Sequence, residues 1–283
     1  MSAILHDQGY TRFEGIRRPA SANLWVLIRQ GRRRAVAPGL VKLGLFFAVL
    51  ALIAYAVIFL ALWLTTDSSG ILPDRISFVR AVIGWQTWSF GFLVTLSAGS
   101  GAISQDVRTR AFQYYFARPV TPDQYALGRT WPLAELLFVL IFVPGALLAL
   151  IGGAMASETA ERLELLGLLF PAAGYSALAA VVLATTSVAA SALGRSRAIT
   201  MSTWAAVFFL PHVVAVIVEQ VTDSDWMRLL SIPACLGIVG DALFRRALGP
   251  TLRWYHALPA LAAWVLASVW LVRRRLVDVE TVG

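Results

Sequence analysis

LVKLGLFFAVLALIAYAVIFLALWL, from Leu40 to Leu64, carries one charge, Lys42, and that charge stands at its mouth. An α-helix rises 1.5 Å per residue, so about 20 mostly apolar residues cross the roughly 30 Å hydrocarbon core of a bilayer. Five more runs of this kind follow, at about Val79–Ile103, Trp131–Ile151, Leu165–Leu193, Ile199–Val218 and His256–Val272. Lipid offers the backbone no hydrogen-bond partner, so each run is expected to be helical. The reading is an all-α integral membrane protein with six transmembrane helices, which returns the C-terminus to the side of the N-terminus.

The whole chain agrees with that first stretch. Of its 283 residues 58% are hydrophobic and only 14% charged, and mean hydropathy is +0.71, an alphabet from which a water-soluble surface is hard to assemble. The formal charge of +8 would point to nucleic acid in a soluble chain. Here the arginines fall in short segments between apolar runs, where they set membrane orientation. Arg12, Arg17, Arg18, Arg29, Arg32, Arg33 and Arg34 precede the first run; Arg108, Arg110, Arg118 and Arg129 follow the second; Arg195 and Arg197 follow the fourth; Arg273, Arg274 and Arg275 end the last. With Lys42 these lie on one face, against seven basic residues on the other, so the richer face is expected to be cytoplasmic. Nucleic acid is therefore not an expected partner; membrane lipids are.

Three parts are expected: a basic cytoplasmic tail over residues 1–39, a membrane domain over 40–272 and a cytoplasmic C-terminal tail over 273–283. Within the first, Ala22–Arg34 joins an apolar stretch to Arg29, Arg32, Arg33 and Arg34, which suits a helix lying at the headgroup boundary or a simple basic anchor. Between the fifth and sixth runs, Leu229–Phe244 is apolar but broken by Pro233, Gly237 and Gly240. Counting it as a span would carry the Arg273–Arg275 triplet across the membrane, so a re-entrant or surface-lying external helix is expected.

Catalytic, metal and cofactor sites are not expected. Lys42, the only lysine, lies between Val41 and Leu43, so the lysine of a glycine-rich phosphate loop is missing. His6, His212 and His256 are widely spaced, no serine stands in G-x-S-x-G, and the single cysteine, Cys235, rules out an internal disulfide. Two polar residues inside spans carry alternatives. His212, beside Pro211, either satisfies a neighbouring helix or meets substrate, and Glu135, one turn into the third run, reaches water or an arginine or takes part in a mechanism. Gly91, Thr95 and Gly99, and Ala173, Ala177, Ala180 and Ala184, form small-residue stripes that let helices approach closely.

The connection between the second and third runs, ISQDVRTRAFQYYFARPVTPDQYALGR (Ile103–Arg129), is too patterned for a plain link. Asp106 follows Ser104 and suits the positive end of a helix dipole, predicting a short helix over about Gln105–Ala117. On it Arg108, Phe112 and Phe116 form one stripe and Val107, Ala111 and Tyr115 the next. Pro119 ends that helix at Arg118, and Thr121-Pro122-Asp123-Gln124 reads as a fresh start with Thr121 as N-cap and Gln124 bonding back. Such an elbow is either a handle for a soluble partner or an interfacial helix whose aromatics sit among headgroups.

The segment GSGAISQDVRTRAFQYYFARPVTPDQYALGR resembles the corresponding region of ABC-2 type permeases, the membrane subunits of ATP-binding-cassette exporters. Arg118-Pro119, Thr121, Tyr125, Leu127, Gly128 and Arg129 match R-P-x-T-x-x-x-Y-x-L-G-[KR] in order, and HDQGYTRFEG (His6–Gly15) is similar to the segment before the first span of some members. The resemblance implies a permease in a prokaryotic cytoplasmic membrane, working as a homodimer or with a sister permease. Its ATP and Mg would be bound by a separate ATPase subunit, and its cargo would be hydrophobic or amphipathic. It also implies that the elbow couples to that ATPase through Asp106, Arg108, Arg110, Phe112, Tyr115, Arg118, Pro119 and Tyr125. The rivals are a membrane anchor or scaffold that recruits a soluble protein through the same elbow, and a membrane-embedded lipid-modifying enzyme using His212 or Glu135.

Overall fold

A computed structural model describes residues 21–65, 74–109, 111, 120–194, 196–246 and 252–282. Among these every regular element is helical and no strand occurs. The basic segment before the first long helix is α1 (Ser21–Val36), and Gly39–Thr65 is α2. The second apolar run begins as α3 (Arg75–Trp85), passes through a π-helical stretch (Gln86–Gly91), the single turn α4 (Phe92–Val94) and a second π-helical stretch, Thr95–Gly99. Then come α5 (Ser104–Arg108), α6 (Pro122–Met155), α7 (Thr159–Gly167), α8 (Leu169–Leu193), α9 (Arg197–Thr222), α10 (Ile232–Leu243) and α11 (Trp254–Val282).

Among the described residues five helices are long and apolar enough to cross a membrane: α2, α6, α7 running into α8, α9 and α11. The run Arg75–Gly99, where a further span is expected, is helical throughout but widens to π pitch twice. A π turn displaces a carbonyl from its ordinary partner, and hydroxyls take up the slack. Thr87 Oγ1 donates to the Ile83 carbonyl and Thr95 Oγ1 to that of Gly91, both at 2.9 Å. The apolar stretch between α9 and α11 is the 12-residue α10, preceded by a 3₁₀ turn (Trp226–Leu230), so it is too short to span.

The centre of the molecule is the pair α6 and α8, whose buried faces supply Leu137, Ile141, Leu148, Leu183 and Tyr175 to one continuous core. At the periphery α2 exposes Phe46, Ile53 and Val57, α9 exposes Leu210 and Ile217, and α11 exposes Leu266 and Trp270. Apolar surface on that scale is what lipid tails solvate and water does not.

The small-residue stripes are partly where expected. Gly91 approaches Leu183 and Ile141, and a Cβ at Gly99 would come within 2.7 Å of Ser187 Cβ. On α8, Ala180 and Ala184 are buried, but Ala177 is exposed and Ala173 only half-buried. The stripe keeps to one helix face, but its first turn lies at the edge of the contact, where Ala172, Ser176 and Ala179 are buried instead. The predicted helix Gln105–Ala117 is also corrected. α5 ends at Arg108 with Thr109 as C-cap, and 112–119 lie outside the described residues, with the Phe112 and Phe116 stripe among them.

Three helices meet where Gly145 of α6 lies against Ile83 of α3 and Ala172 of α8; a Cβ there would stand 2.7 Å from Ile83 Cγ1. Gly145→Ala and Ile83→Ala are each expected to lower the unfolding temperature in detergent, the first by overpacking and the second by leaving a cavity. Because the new methyl enters the space Ile83 vacates, the double variant should fall short of additivity by about 1 kcal/mol. Strict additivity in tryptophan-monitored unfolding would mean that the helices do not cross there.

Candidate functional site

Asp106 is 3% exposed and stands between two arginines. Arg34 Nη1, from α1, donates to its Oδ1 at 3.1 Å. The Tyr125 hydroxyl donates to Oδ2 at 2.6 Å, and Arg129 Nη2 donates to the same oxygen. Tyr125 and Arg129 are four residues apart, so both project from one face of α6, and the guanidinium lies 5.1 Å from the Tyr125 ring. A carboxylate in this setting is held by charge-assisted bonds on both oxygens, which offsets the loss of its hydration. Asp106 does lie in the first turn of a helix, as expected, but α5 has only five residues and the acid also joins α5 to α1 and α6.

Each element is fixed from its own sequence. Ile103 and Ser104 donate their amides to Ser191 Oγ of α8 at 2.9 and 3.0 Å, so one hydroxyl anchors the root of α5. α6 begins with the predicted capping box, in which Thr121 Oγ1 accepts from the Gln124 amide while Gln124 Oε1 accepts from that of Thr121, and Pro122 occupies the first turn. α1 crosses α6 at two glycines. A Cβ on Gly31 would stand 2.7 Å from Pro132 Cγ, and one on Gly128 would stand 2.7 Å from Leu27 Cβ. Arg32 of α1 then grips Glu135 with two bonds of 2.6 and 2.7 Å, and Trp131 Nε1 donates to the same carboxylate at 2.6 Å.

At this same end Arg197 Nη2 of α9 donates to the Ser97 carbonyl and hydroxyl at 3.3 and 3.1 Å. Arg273 of α11 holds Asp123 with two bonds of 2.8 Å. The segments that carry the excess of arginines therefore meet one another around the start of α6.

Of the residues singled out from sequence, Asp106 and Tyr125 are joined directly. Arg108, which is exposed, lines the adjoining cavity. Arg110, Phe112, Tyr115, Arg118 and Pro119 lie outside the described residues. Glu135 is the partner of Arg32. His212 lies far along α9, where Nδ1 is 3.1 Å from Ser231 Oγ, the N-cap of α10, and its ring packs edge-on to Trp88 at 4.8 Å. That geometry matches the neighbouring-helix role, and neither residue adjoins a cluster able to hold a metal: among the described residues no group of three or more His, Cys, Asp or Glu does so.

Sequence reasoning missed Arg34, Arg129 and Arg197 as parts of the site. Arg129 left a usable signal, since Tyr125 and Arg129 share a helix face and both belong to the elbow motif. It missed a second buried charge as well. Arg80, one residue inside the predicted second span, donates from Nη2 to the Gly237 carbonyl at 2.9 Å, and its Nε lies 3.1 Å from Asp241 Oδ1. Gly240 makes room for it, for a Cβ there would stand 2.6 Å from its Cζ. An arginine within a membrane-length run was itself the sign.

Neither the models of known families nor the curated proteins compared with this chain match it.

Asp106→Ala strands the buried Arg129 guanidinium and should lower stability by about 3 kcal/mol. The paired replacement Asp106→Leu with Arg129→Met removes both charges and should recover most of that loss. Unfolding in detergent, followed by tryptophan fluorescence, compares the two; equal losses would mean that the carboxylate and guanidinium act separately.

Proposed function

We propose that this chain is the membrane-spanning subunit of an ABC-2 type exporter, driven by a separate ATP-hydrolysing subunit and working as a homodimer or beside a sister permease. One observation carries the reading: of the five elbow-motif residues within the described part, Tyr125, Gly128 and Arg129 lock α6 to α5 and α1 and Thr121 caps α6, while Leu127 is exposed. A motif whose members converge on one joint behaves as a mechanical fitting. In this reading Arg75–Gly99 is the second of six spans, α10 is the external helix between the fifth and sixth, and both termini lie in the cytoplasm of a prokaryote.

The mechanism follows from the joint. ATP binding by the partner favours one of two arrangements of the membrane helices only if the partner's grip differs between them. The elbow, within Ile103–Arg129, supplies that grip through Arg108, Arg110, Phe112, Tyr115, Arg118 and Pro119. Its movement reaches α6 through Tyr125, Arg129 and Asp106, and reaches the second span through the short link from Ser104 to Gly99. Helices packed this closely shift between discrete positions rather than bend continuously. The scarcity of charge along the spans suits a hydrophobic or amphipathic cargo.

Arg118→Ala with Pro119→Ala should leave membrane insertion intact while separating ATP turnover in the partner from transport, read as nucleotide hydrolysis with and without cargo in proteoliposomes. Coupled turnover at the wild-type rate in that variant would overturn the reading, and binding of a partner that is indifferent to nucleotide would favour a scaffold. Gln113→Cys should react with a membrane-impermeant maleimide only after the cell is opened, with little background because Cys235 is fully buried. Labelling of intact cells would place the elbow outside and sink the proposal.

A further inference from the structure

Between α1, the end of the second helical run, α5, α6 and the start of α9 lies a cavity of about 560 Å³. Its charged lining is Arg34, Arg108, Arg129, Arg197 and Asp106. Four guanidiniums thus face one carboxylate, and that carboxylate already accepts from Arg34, Arg129 and the Tyr125 hydroxyl. The bonds that Arg197 makes go to a neutral carbonyl and a neutral hydroxyl, which leave its charge uncompensated. Arg108 has no hydrogen-bond or ion-pair partner among the described residues. Arg197 is also the first residue of the 26-residue α9, so the positive end of that helix dipole lies on the same wall.

Four converging cations repel one another, and the repulsion grows as apolar surroundings lower the local dielectric. An anion among them removes it. The rest of the lining is small, with Gly31, Gly101, Ala98 and Ala102 leaving room for a ligand against the backbone. The volume lies within the roughly 300–1,000 Å³ typical of small-ligand sites. Guanidinium forks match the geometry of carboxylate and phosphate oxygens, and a phosphate offers more acceptor oxygens than a carboxylate to share among several guanidiniums. Basic pockets between membrane helices hold phospholipid headgroups for the same reason.

We propose that this cavity binds a phosphate-bearing anion, with Arg108, Arg197 and Arg34 as its ligands and Arg129 kept in place by Asp106. The site shares Arg108 and Asp106 with the elbow of the transporter reading, but its binding requires no second protein. The phosphate belongs either to an anionic phospholipid of the surrounding leaflet or to a soluble phosphate, and the two differ in how they are supplied.

The test uses the full chain purified in a neutral detergent, with the unfolding temperature followed as ligand is added, since anything that binds the folded state raises it. One arm adds phosphatidylglycerol in mixed micelles against phosphatidylcholine; the other adds inorganic phosphate against chloride at equal ionic strength. A saturable rise with phosphatidylglycerol alone identifies the lipid source, and a rise with phosphate as well identifies a site open to soluble phosphate. Arg108→Gln, at an exposed position, and Arg108→Gln with Arg197→Gln should weaken the half-saturation point in steps, by about tenfold or more for the pair. Arg274→Gln, an exposed arginine outside the cavity, should not change it. The proposal fails if neither ligand exceeds its control, if the paired variant responds as the parent does, or if Arg274→Gln weakens binding equally, which would reveal diffuse surface charge.

Discussion

A carboxylate taken out of water must be given back its hydrogen bonds, and at Asp106 that requirement ties three helices together. Its two oxygens accept from α1 and twice from α6, while the backbone that carries it is held to α8 by Ser191. Among the described residues no other group at this end joins as many elements. Remove the charge and the buried Arg129 loses the carboxylate it bonds; remove Arg129 and the acid keeps only Arg34 and Tyr125. The arrangement is stable only as a set, which makes it a joint and not a row of independent contacts.

The opposite end repeats the principle with different parts. Arg80 of α3 reaches the Gly237 carbonyl and Asp241 of α10, over the ring of Tyr175 in α8. There a short helix that cannot span is pinned to helices that can. Apolar packing between membrane helices discriminates weakly among alternatives, because lipid tails are as apolar as leucine. Buried ion pairs at the two ends supply the missing specificity: they penalise any rotation or slippage of α3, α5 or α10 that would leave a charge facing hydrocarbon.

How much of this could be read from the chain follows from the range of the forces involved. The long apolar runs at Leu40–Leu64 and Ile199–Val218 are legible because helicity in lipid is dictated locally, by composition alone. The capping box at Thr121 is legible for the same reason, since its partners lie within three residues. The change of pitch at Gln86 and Thr95 was not, because a π turn and an α turn use the same residues and are chosen by what packs alongside. Arg34 lies 72 residues from Asp106 and Arg197 lies 100 from Ser97. No periodicity reports such pairings. Ala177 shows the limit of pattern reading in another way, since a regular spacing of small residues does not say which side of the helix they fall on.

The contacts at the start of α6 also differ in strength along its length, and the order has a consequence. Arg273 with Asp123, and Arg32 with Glu135, are geometrically good but well exposed, so water and salt compete for them and each contributes little. Between them in sequence lie Tyr125 and Arg129, bound to an acid that water does not reach. α5 is therefore held by one firm attachment, flanked by two that water can open. The firm one ties α6 to α5 and α1, while the yielding bond between Asp123 and Arg273 constrains α11 less. Were the strengths reversed, with the buried pair at the flanks and the exposed one at the centre, the same number of ion pairs would clamp α6 to α11 and leave α5 loosely held.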